Sequence, residues 1–394
     1  MFYTDWSYWL FIAVVSASCF AAPIKLRPFL IIIAGCLFYW YYAGPFLLVL
    51  LSEAVLIGWA MAQFGKTGRR WVYIVALSGA IAVLIYCKYR GLLLQPLFDL
   101  LPTAAKVHFP QADDLILPLG VSYFTFELIH YVVEKRRGTL PDHRFGDFLA
   151  FVLFFPTLFA GPIKSFQLFQ PQLAARYELR LQLQGIGLIV KGLFKKLVIA
   201  GTLELLAEPL YSPEGFSASS PALLWTALLS YTFVIYFDFS GYSDIAIGTA
   251  RLLGIVLPPN FRNPYFSRNI AEFWNRWHIS LGNWLTRYIY YPLGGSRCSE
   301  FRTCLNLLAT MAVSGLWHGA AWHFVVWGIV HGMMLCIYRI YAKQIKTRWY
   351  VPIPHSLATV LSVGFTFLCV TLSRLFFVLP LQEGWSLASR LFQF

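Results

Sequence analysis

The sequence contains little charge for its length. Only 12% of its 394 residues are Asp, Glu, Lys or Arg, whereas 58% are hydrophobic and 18% are aromatic. An ordinary soluble domain carries roughly 25% charged residues, so most soluble classes, disordered chains and coiled coils are excluded. Internal repeats and shifts in composition are also missing from the chain. We therefore predict one integral-membrane domain over residues 1–394.

Several motifs that would indicate other chemistries are also missing. The sequence has no GxSxG elbow, no GxGxxG loop and no P-loop, so a serine hydrolase or a nucleotide-driven machine has no motif support. The seven cysteines form no CxxC pair and are typical of small buried side chains. His318, His323 and His331 do not share the helical spacing of a zinc site. No metal is predicted.

Apolar stretches recur from about residue 7 to residue 379, and basic clusters follow the first, third and fifth of them. The net charge of +13 would suggest nucleic acid in a soluble protein. In a membrane protein such an excess lies in cytoplasmic loops, so we predict no nucleic-acid partner. The clusters predict a multi-pass protein of the inner (cytoplasmic) membrane with an extracytoplasmic N-terminus. The acidic connection at 103 to 114 supports that orientation.

The first apolar run, from Trp6 to Ala22, has no basic segment before it. A secretory signal peptide begins with such a segment, so we expect this run to be a retained first span.

Ionisable side chains lie in or beside the apolar runs, where each costs about 2.5 to 3.5 kcal/mol on insertion scales. For Glu53 and Glu127 we predict ion pairs with basic neighbours. Asp238 and Asp244 flank a Ser/Gly segment, and their carboxylates either cap a helix break, bond across helices or bind substrate. The other such residues are three histidines of the C-terminal half and His130.

The stretch from 260 to 295 is too polar to cross bare lipid. A helix over Ile270 to Tyr290 would pair Glu272 with Arg276 and carry His278 one turn after Trp274. It is either an interfacial amphipathic helix or a re-entrant segment that lines a polar cavity.

His318 lies between Trp317 and Gly319, with Ser314 one helical turn earlier. A lone membrane histidine is often only a hydrogen-bonding group. Its imidazole also has the ordinary pKa that suits proton transfer near neutral pH, so His318 is a candidate general base.

Phe273-Trp-Asn-Arg-Trp-His278-Ile-Ser280 together with Trp317-His318-Gly319 resembles the membrane-bound O-acyltransferase (MBOAT) family. Within it the chain is similar to the bacterial branch that contains the membrane subunit of alginate O-acetylation and the D-alanyl-transfer protein of teichoic acid modification. Further strings follow the family's order, namely Leu117-Pro-Leu-Gly-Val-Ser-Tyr-Phe-Thr-Phe126, Phe155-Pro-Thr-Leu-Phe-Ala-Gly-Pro162 and Asp238-Phe-Ser-Gly-Tyr-Ser-Asp244.

The resemblance implies an all-α polytopic fold with about 9–11 transmembrane helices, plus re-entrant or interfacial helices around a central funnel. The histidine-bearing catalytic region would cover about residues 230 to 340. His318 matches the family's catalytic histidine and His278 its supporting histidine. The predicted substrate-binding residues are Asn275, Trp274, Arg276, Trp317, Ser314 and Asp238.

The resemblance further implies transfer of a short acyl group, with acetyl as the first candidate, from a cytoplasmic thioester to an extracytoplasmic glycan. The donor would be acetyl-CoA or an acyl carrier protein, with no bound cofactor, and an SGNH-type esterase or another acyl-accepting protein would be the extracytoplasmic partner. His318 would act as a base or carry the acyl group, while His278 and Asn275 would orient the thioester or stabilise the oxyanion. Alternatives are D-alanyl transfer to a teichoic-acid-type polymer and a non-catalytic glycan export channel.

Overall fold

The structure, a computed structural model, describes residues 2–93, 118–175, 178–211, 213–345 and 354–393. This part of the chain is helical and contains no β-strand. Its α-helices are α1 (Trp6–Ala21), α2 (Arg27–Ala43), α3 (Phe46–Thr67), α4 (Arg70–Leu84), α5 (Val121–Arg137), α6 (Phe145–Val152), α7 (Phe155–Leu158), α8 (Phe166–Phe169), α9 (Leu179–Leu193), α10 (Gly201–Ala207), α11 (Pro213–Ala218), α12 (Pro221–Leu252), α13 (Ile270–Arg276), α14 (Ile279–Leu285), α15 (Glu300–His318), α16 (Trp322–Ile340), α17 (His355–Ser373), α18 (Leu375–Val378) and α19 (Leu381–Arg390).

Six helices are long and apolar enough to cross a membrane among the described residues. They cover Ile24–Ala43, Phe46–Thr67, Arg70–Leu93, Pro221–Leu252, Trp322–Lys343 and His355–Val378. Large apolar side chains on them are exposed, as Trp59 and Phe365 are, which a lipid environment explains. The predicted all-α polytopic membrane fold is confirmed.

The count of 9–11 spans stays a prediction. Helix α1 has only 16 residues, a rise of about 24 Å against a hydrocarbon core of about 30 Å. Its role as the first span therefore stays a prediction. The 103 to 114 connection lies outside the described residues, so the orientation that it supports is also still a prediction.

By internal contacts the chain divides into two compact units. Unit 1 comprises residues 1–191 and 243–258, and unit 2 comprises residues 192–242 and 259–394. This division by contacts does not test whether residues 1–394 are one integral-membrane domain, so that stays a prediction.

Unit 1 has an aromatic core built from α5, α6, α8 and the segment between α6 and α7. Six phenylalanine side chains of this core are at most 1% exposed, namely Phe124, Phe148, Phe151, Phe154, Phe166 and Phe169. Helix α2 packs closely on the end of α6, since a Cβ at Gly35 would lie 2.0 Å from the carbonyl oxygen of Leu153.

A buried ion pair lies within this core. Lys164 Nζ is 2.8 Å and 2.6 Å from the two carboxylate oxygens of Glu127, and it lies 4.5 Å from the centre of the Phe151 ring. The predicted partner for Glu127 is therefore confirmed. For Glu53 the prediction is wrong within the described residues, because both of its buried carboxylate oxygens lack a hydrogen-bond partner there.

Unit 2 contains a tightly packed antiparallel pair formed by α15 and α16. A Cβ at Gly315 would lie 2.1 Å from the Phe324 carbonyl oxygen, and one at Gly328 would lie 2.1 Å from that of Met311. Small residues let helix backbones approach closely in membranes. This packing fixes the position of His318, the last residue of α15.

Candidate functional site

The predicted helix from Ile270 to Tyr290 is broken at His278. Helix α13 ends at Arg276, and His278 takes the left-handed backbone conformation, with φ of 44°, before α14 begins. The predicted Glu272–Arg276 ion pair is present within α13. A non-glycine residue in this conformation costs about 1 kcal/mol or more, so the surrounding structure must hold it.

Asn260 holds this break. Its side-chain oxygen accepts hydrogen bonds from the backbone N–H of Ser280 at 3.1 Å and from the Ser280 hydroxyl at 2.9 Å. Its backbone carbonyl accepts from the N–H of Ile279 at 2.9 Å. The first amide groups of α14 are thereby satisfied, which is the requirement at any helix start.

His278 is buried, at 1% exposure, and is surrounded by aromatic rings. Its ring centre lies 4.7 Å from that of Phe239 and 5.6 Å from that of Trp317. Its Nε2 atom has no hydrogen-bond partner among the described residues. A buried polar atom without a partner is costly and is commonly found at functional sites.

His318 is half-buried and lies in the same chain of rings. Its ring centre is 4.8 Å from Trp317, 5.2 Å from Trp327 and 5.0 Å from Phe377. Trp317 thus contacts both histidines. The structure brings His278 and His318 together, although they are forty residues apart in sequence.

Ser314 and Trp317 also lie where the sequence predicts, on the last turns of α15. The Ser314 hydroxyl is buried and has no hydrogen-bond partner in the described part of the chain. The predicted catalytic pair and two of the predicted binding residues therefore share one region of unit 2. Their roles in a reaction remain predictions.

A cavity of about 330 Å³ opens in unit 2. Trp274 and Asn275 of α13 line it together with Met311 of α15 and with Thr286 and Tyr290, which bound a π-helical turn after α14. Such turns are frequent at functional sites. Two of the predicted binding residues, Trp274 and Asn275, are therefore cavity residues.

Basic residues surround Glu300, the first residue of α15. Arg339 Nε donates to Glu300 at 2.8 Å, and Lys343 forms an ion pair with the same carboxylate. Arg339 also lies 3.5 Å from the hydroxyl of Ser296, a cavity residue. Hydrogen bonds from these cations lower the pKa of Glu300 to about 2. We call Ser296, Glu300, Arg339 and Lys343 the cavity rim.

Two predicted binding residues are engaged elsewhere. Arg276 pairs with Glu272, and Asp238 pairs with Lys196 of the π-helical turn before α10. Neither Arg276 nor Asp238 lines the cavity. The contact of Asp238 is the cross-helix bond that the sequence left as an alternative.

The sequence assigned no site role to several other groups beside His318. Trp327 and Phe377 contact it directly, and His331 lies 4.7 Å from Trp327 and hydrogen-bonds Ser373 at 2.9 Å. Buried Arg374 follows Ser373. An arginine within an apolar run is the sequence signal that would have indicated Arg374.

Together, the described residues form a polytopic membrane protein with two histidines in an aromatic cluster and a cavity in the same unit. The chain belongs to the MBOAT, membrane-bound O-acyltransferase, family, whose profile matches residues 36–380. It is an O-acyltransferase, and the class that the sequence resemblance predicted is confirmed.

Curated relatives cover most of the chain. The probable alginate O-acetylase of Pseudomonas aeruginosa is 34% identical over 394 residues, which cover 98% of this chain and 73% of the relative. The peptidoglycan O-acetyltransferase of Helicobacter pylori is 33% identical, covering 85% and 68%. The teichoic acid D-alanyltransferase of Streptococcus thermophilus is also 33% identical, covering 68% and 69%.

Proposed function

We propose that this acyltransferase moves an acetyl group from a cytoplasmic thioester across the inner membrane, for O-acetylation of an extracytoplasmic polysaccharide or cell-wall glycan. The relatives named as O-acetylating proteins support this choice. They match 98% and 85% of the chain at 34% and 33% identity, whereas the D-alanyltransferases of Streptococcus thermophilus and Bacillus subtilis match 68% and 80% at 33% and 28%.

The observation that carries the proposal is the course of the cavity along α15. Rim residue Glu300 begins this helix, the cavity residues Leu307 and Met311 follow, and His318 ends it. Seven residues separate Met311 from His318, a rise of about 10 Å. We propose that the acyl thioester enters at the rim and that its acyl end extends along α15 towards His318. The cavity volume is within the range of small-molecule sites.

The rim chemistry favours an anionic donor. Arg339 and Lys343 lie at the end of a candidate span, where basic residues indicate the cytoplasmic side. The positive-inside rule, applied to the basic clusters after the first, third and fifth apolar stretches, supports an extracytoplasmic N-terminus. Acetyl-CoA and an acyl carrier protein both bring phosphate groups, which a basic rim attracts.

In the proposed reaction His318 removes the proton from the acceptor hydroxyl, whose oxygen attacks the thioester carbonyl. The tetrahedral intermediate then expels the thiolate, which takes up a proton, and an ester remains. His318 could equally take the acyl group on its own ring nitrogen first, with the acceptor attacking in a second step. His278 and Asn275 would orient the thioester or stabilise the oxyanion. An SGNH-type esterase on the outer side would pass the acetyl group to the glycan.

The test is His318→Ala in a host strain that lacks its own copy of the protein. We expect the variant to accumulate in the membrane while ester-linked acetyl on the surface polysaccharide falls to the level of the deletion strain. His355→Ala is the matched control, because His355 is exposed at the start of α17. Near-normal acetylation by His318→Ala contradicts the proposal, and D-alanyl esters in place of acetyl esters would assign the other acyl group. An export channel predicts less exported glycan with unchanged acyl content per chain.

A further inference from the structure

Arg374 carries a charge deep inside unit 2. Its side chain lies at the junction between α17 and α18 and is only 2% exposed. Within the described residues its Nε atom has no hydrogen-bond partner, and no carboxylate forms an ion pair with it. Burying an unpaired charge costs several kcal/mol, so other contacts must offset this cost.

Aromatic rings supply those contacts. The guanidinium carbon lies 4.9 Å from the ring centre of Trp277 and 5.6 Å from that of Phe377. The charge of Arg374 also acts on the Tyr265 hydroxyl, which donates its proton to the Thr232 carbonyl at 2.6 Å. Arginine suits such a place better than lysine, because its planar guanidinium stacks on aromatic faces and is more weakly hydrated.

Each of these two aromatic residues is a neighbour of one of the two histidines. Trp277 directly precedes His278 and forms the break between α13 and α14. The Phe377 ring lies 5.0 Å from the His318 ring, so the guanidinium is within about 11 Å of His318. Arg374 therefore contacts one neighbour of each histidine.

We propose that Arg374 is a positioning residue for acyl transfer, which holds Trp277 and Phe377 so that His278 and His318 keep their relative geometry. The inference rests on the proposed function of His318. A displacement of about 1 Å in a reacting geometry can lower a rate by about 100-fold. Loosening of this arrangement therefore reduces turnover and leaves donor binding in the cavity largely intact.

A purely structural role predicts a different result. Replacing a buried charge by an apolar side chain of similar length is often neutral or stabilising. If Arg374 only fills space, Arg374→Met keeps its stability and its turnover. If it positions the histidines, the variant accumulates normally and turns over slowly.

The experiment measures kcat and the donor KM of the full-length protein, with acetyl-CoA as donor, for Arg374→Met, Arg374→Lys, Trp277→Leu and the double variant Arg374→Met/Trp277→Leu. We expect kcat to fall at least about tenfold in Arg374→Met, with KM within about twofold of wild type. Lys keeps the charge without the planar face and should recover only part of kcat. The double variant should be no worse than the poorer single variant, because Arg374 acts through Trp277.

Unchanged kcat in Arg374→Met, a raised KM with normal kcat, or additive losses in the double variant would each overturn the inference. Should Arg374→Met fail to accumulate, Arg374→Lys is judged by the same criterion of kcat against KM. His318→Ala, measured in parallel, separates two failures. If it stays active, the proposed function fails, whereas if it is inactive while Arg374→Met is normal, only this inference fails.

Discussion

Replacing Gly315 or Gly328 by alanine should separate the two helices that present His318. The new Cβ would lie 2.1 Å from a backbone carbonyl oxygen of the other helix in either case, and real Cβ contacts stay above 3.0 Å. Helices α15 and α16 must therefore move apart by about 1 Å, because backbone cannot rotate out of the way as a side chain can. Overpacking of this kind costs about 1 to 3 kcal/mol.

The consequence for activity is larger than the consequence for folding. His318 ends α15, and its neighbour Trp327 lies on α16, so a shift between these helices displaces the candidate base. A misplacement of about 1 Å predicts a loss of about 10- to 100-fold in the acyl-transfer rate.

Initial rates with labelled acetyl-CoA, normalised to the amount of protein in the membrane, provide the assay. Gly364→Ala is the matched control, since no heavy atom lies within 4 Å of its new Cβ and alanine favours a helix. If Gly315→Ala and Gly328→Ala were as active as Gly364→Ala at equal amounts, the role of this close packing in catalysis would be refuted.

Three further predictions concern the cavity, its rim and the core of unit 1. Gly282 lines the cavity, and a Cβ added there would lie 3.7 Å from the nearest heavy atom, the Trp274 carbonyl oxygen. Gly282→Ala should therefore be tolerated. Gly282→Trp should fill part of the cavity and raise the donor KM at least about tenfold in kinetics measured over a range of donor concentrations. Because the pKa of Glu300 falls from 4.5 to about 2, its ion pairs stabilise the protein above about pH 4.5 and are lost as the pH falls towards 2. The thermal stability lost in Glu300→Gln should therefore be constant from about pH 5 to 8 and shrink below it, and a deficit that grows on acidification contradicts this sign. Lys164→Met should cost about 3 to 5 kcal/mol by leaving the Glu127 charge unpaired, whereas the double variant with Glu127→Leu should recover most of it in thermal unfolding.

The sequence predicts those features that follow from local pattern. Runs of apolar residues predict the spans, and i,i+4 spacing predicts the Glu272–Arg276 pair that α13 contains. The cost of a carboxylate at membrane depth predicts a partner for Glu127, which Lys164 provides. The string around His318 indicates the family, which the family profile confirms.

Features set by tertiary contacts escape this reasoning. The helix break at His278 depends on Asn260, whose side chain bonds to Ser280, and no helical periodicity reveals that contact. Helix propensity alone favours continuing α13 through Trp277, but packing and the Asn260 cap override it. The contacts of the Arg374 guanidinium with Trp277 and Phe377 form only on folding, so the sequence does not predict them.

In the proposed function, an acetyl group passes from a cytoplasmic donor to an outer acceptor at His318. The experiment uses sealed vesicles in which the protein has a known orientation. Labelled acetyl-CoA is supplied on the cytoplasmic side, and the glycan and the SGNH-type esterase are supplied on the opposite side. We predict labelled ester on the outer glycan with the wild-type protein and with His355→Ala, and none with His318→Ala. Equal transfer of label by His318→Ala, with the protein present and the vesicles intact, would contradict the account.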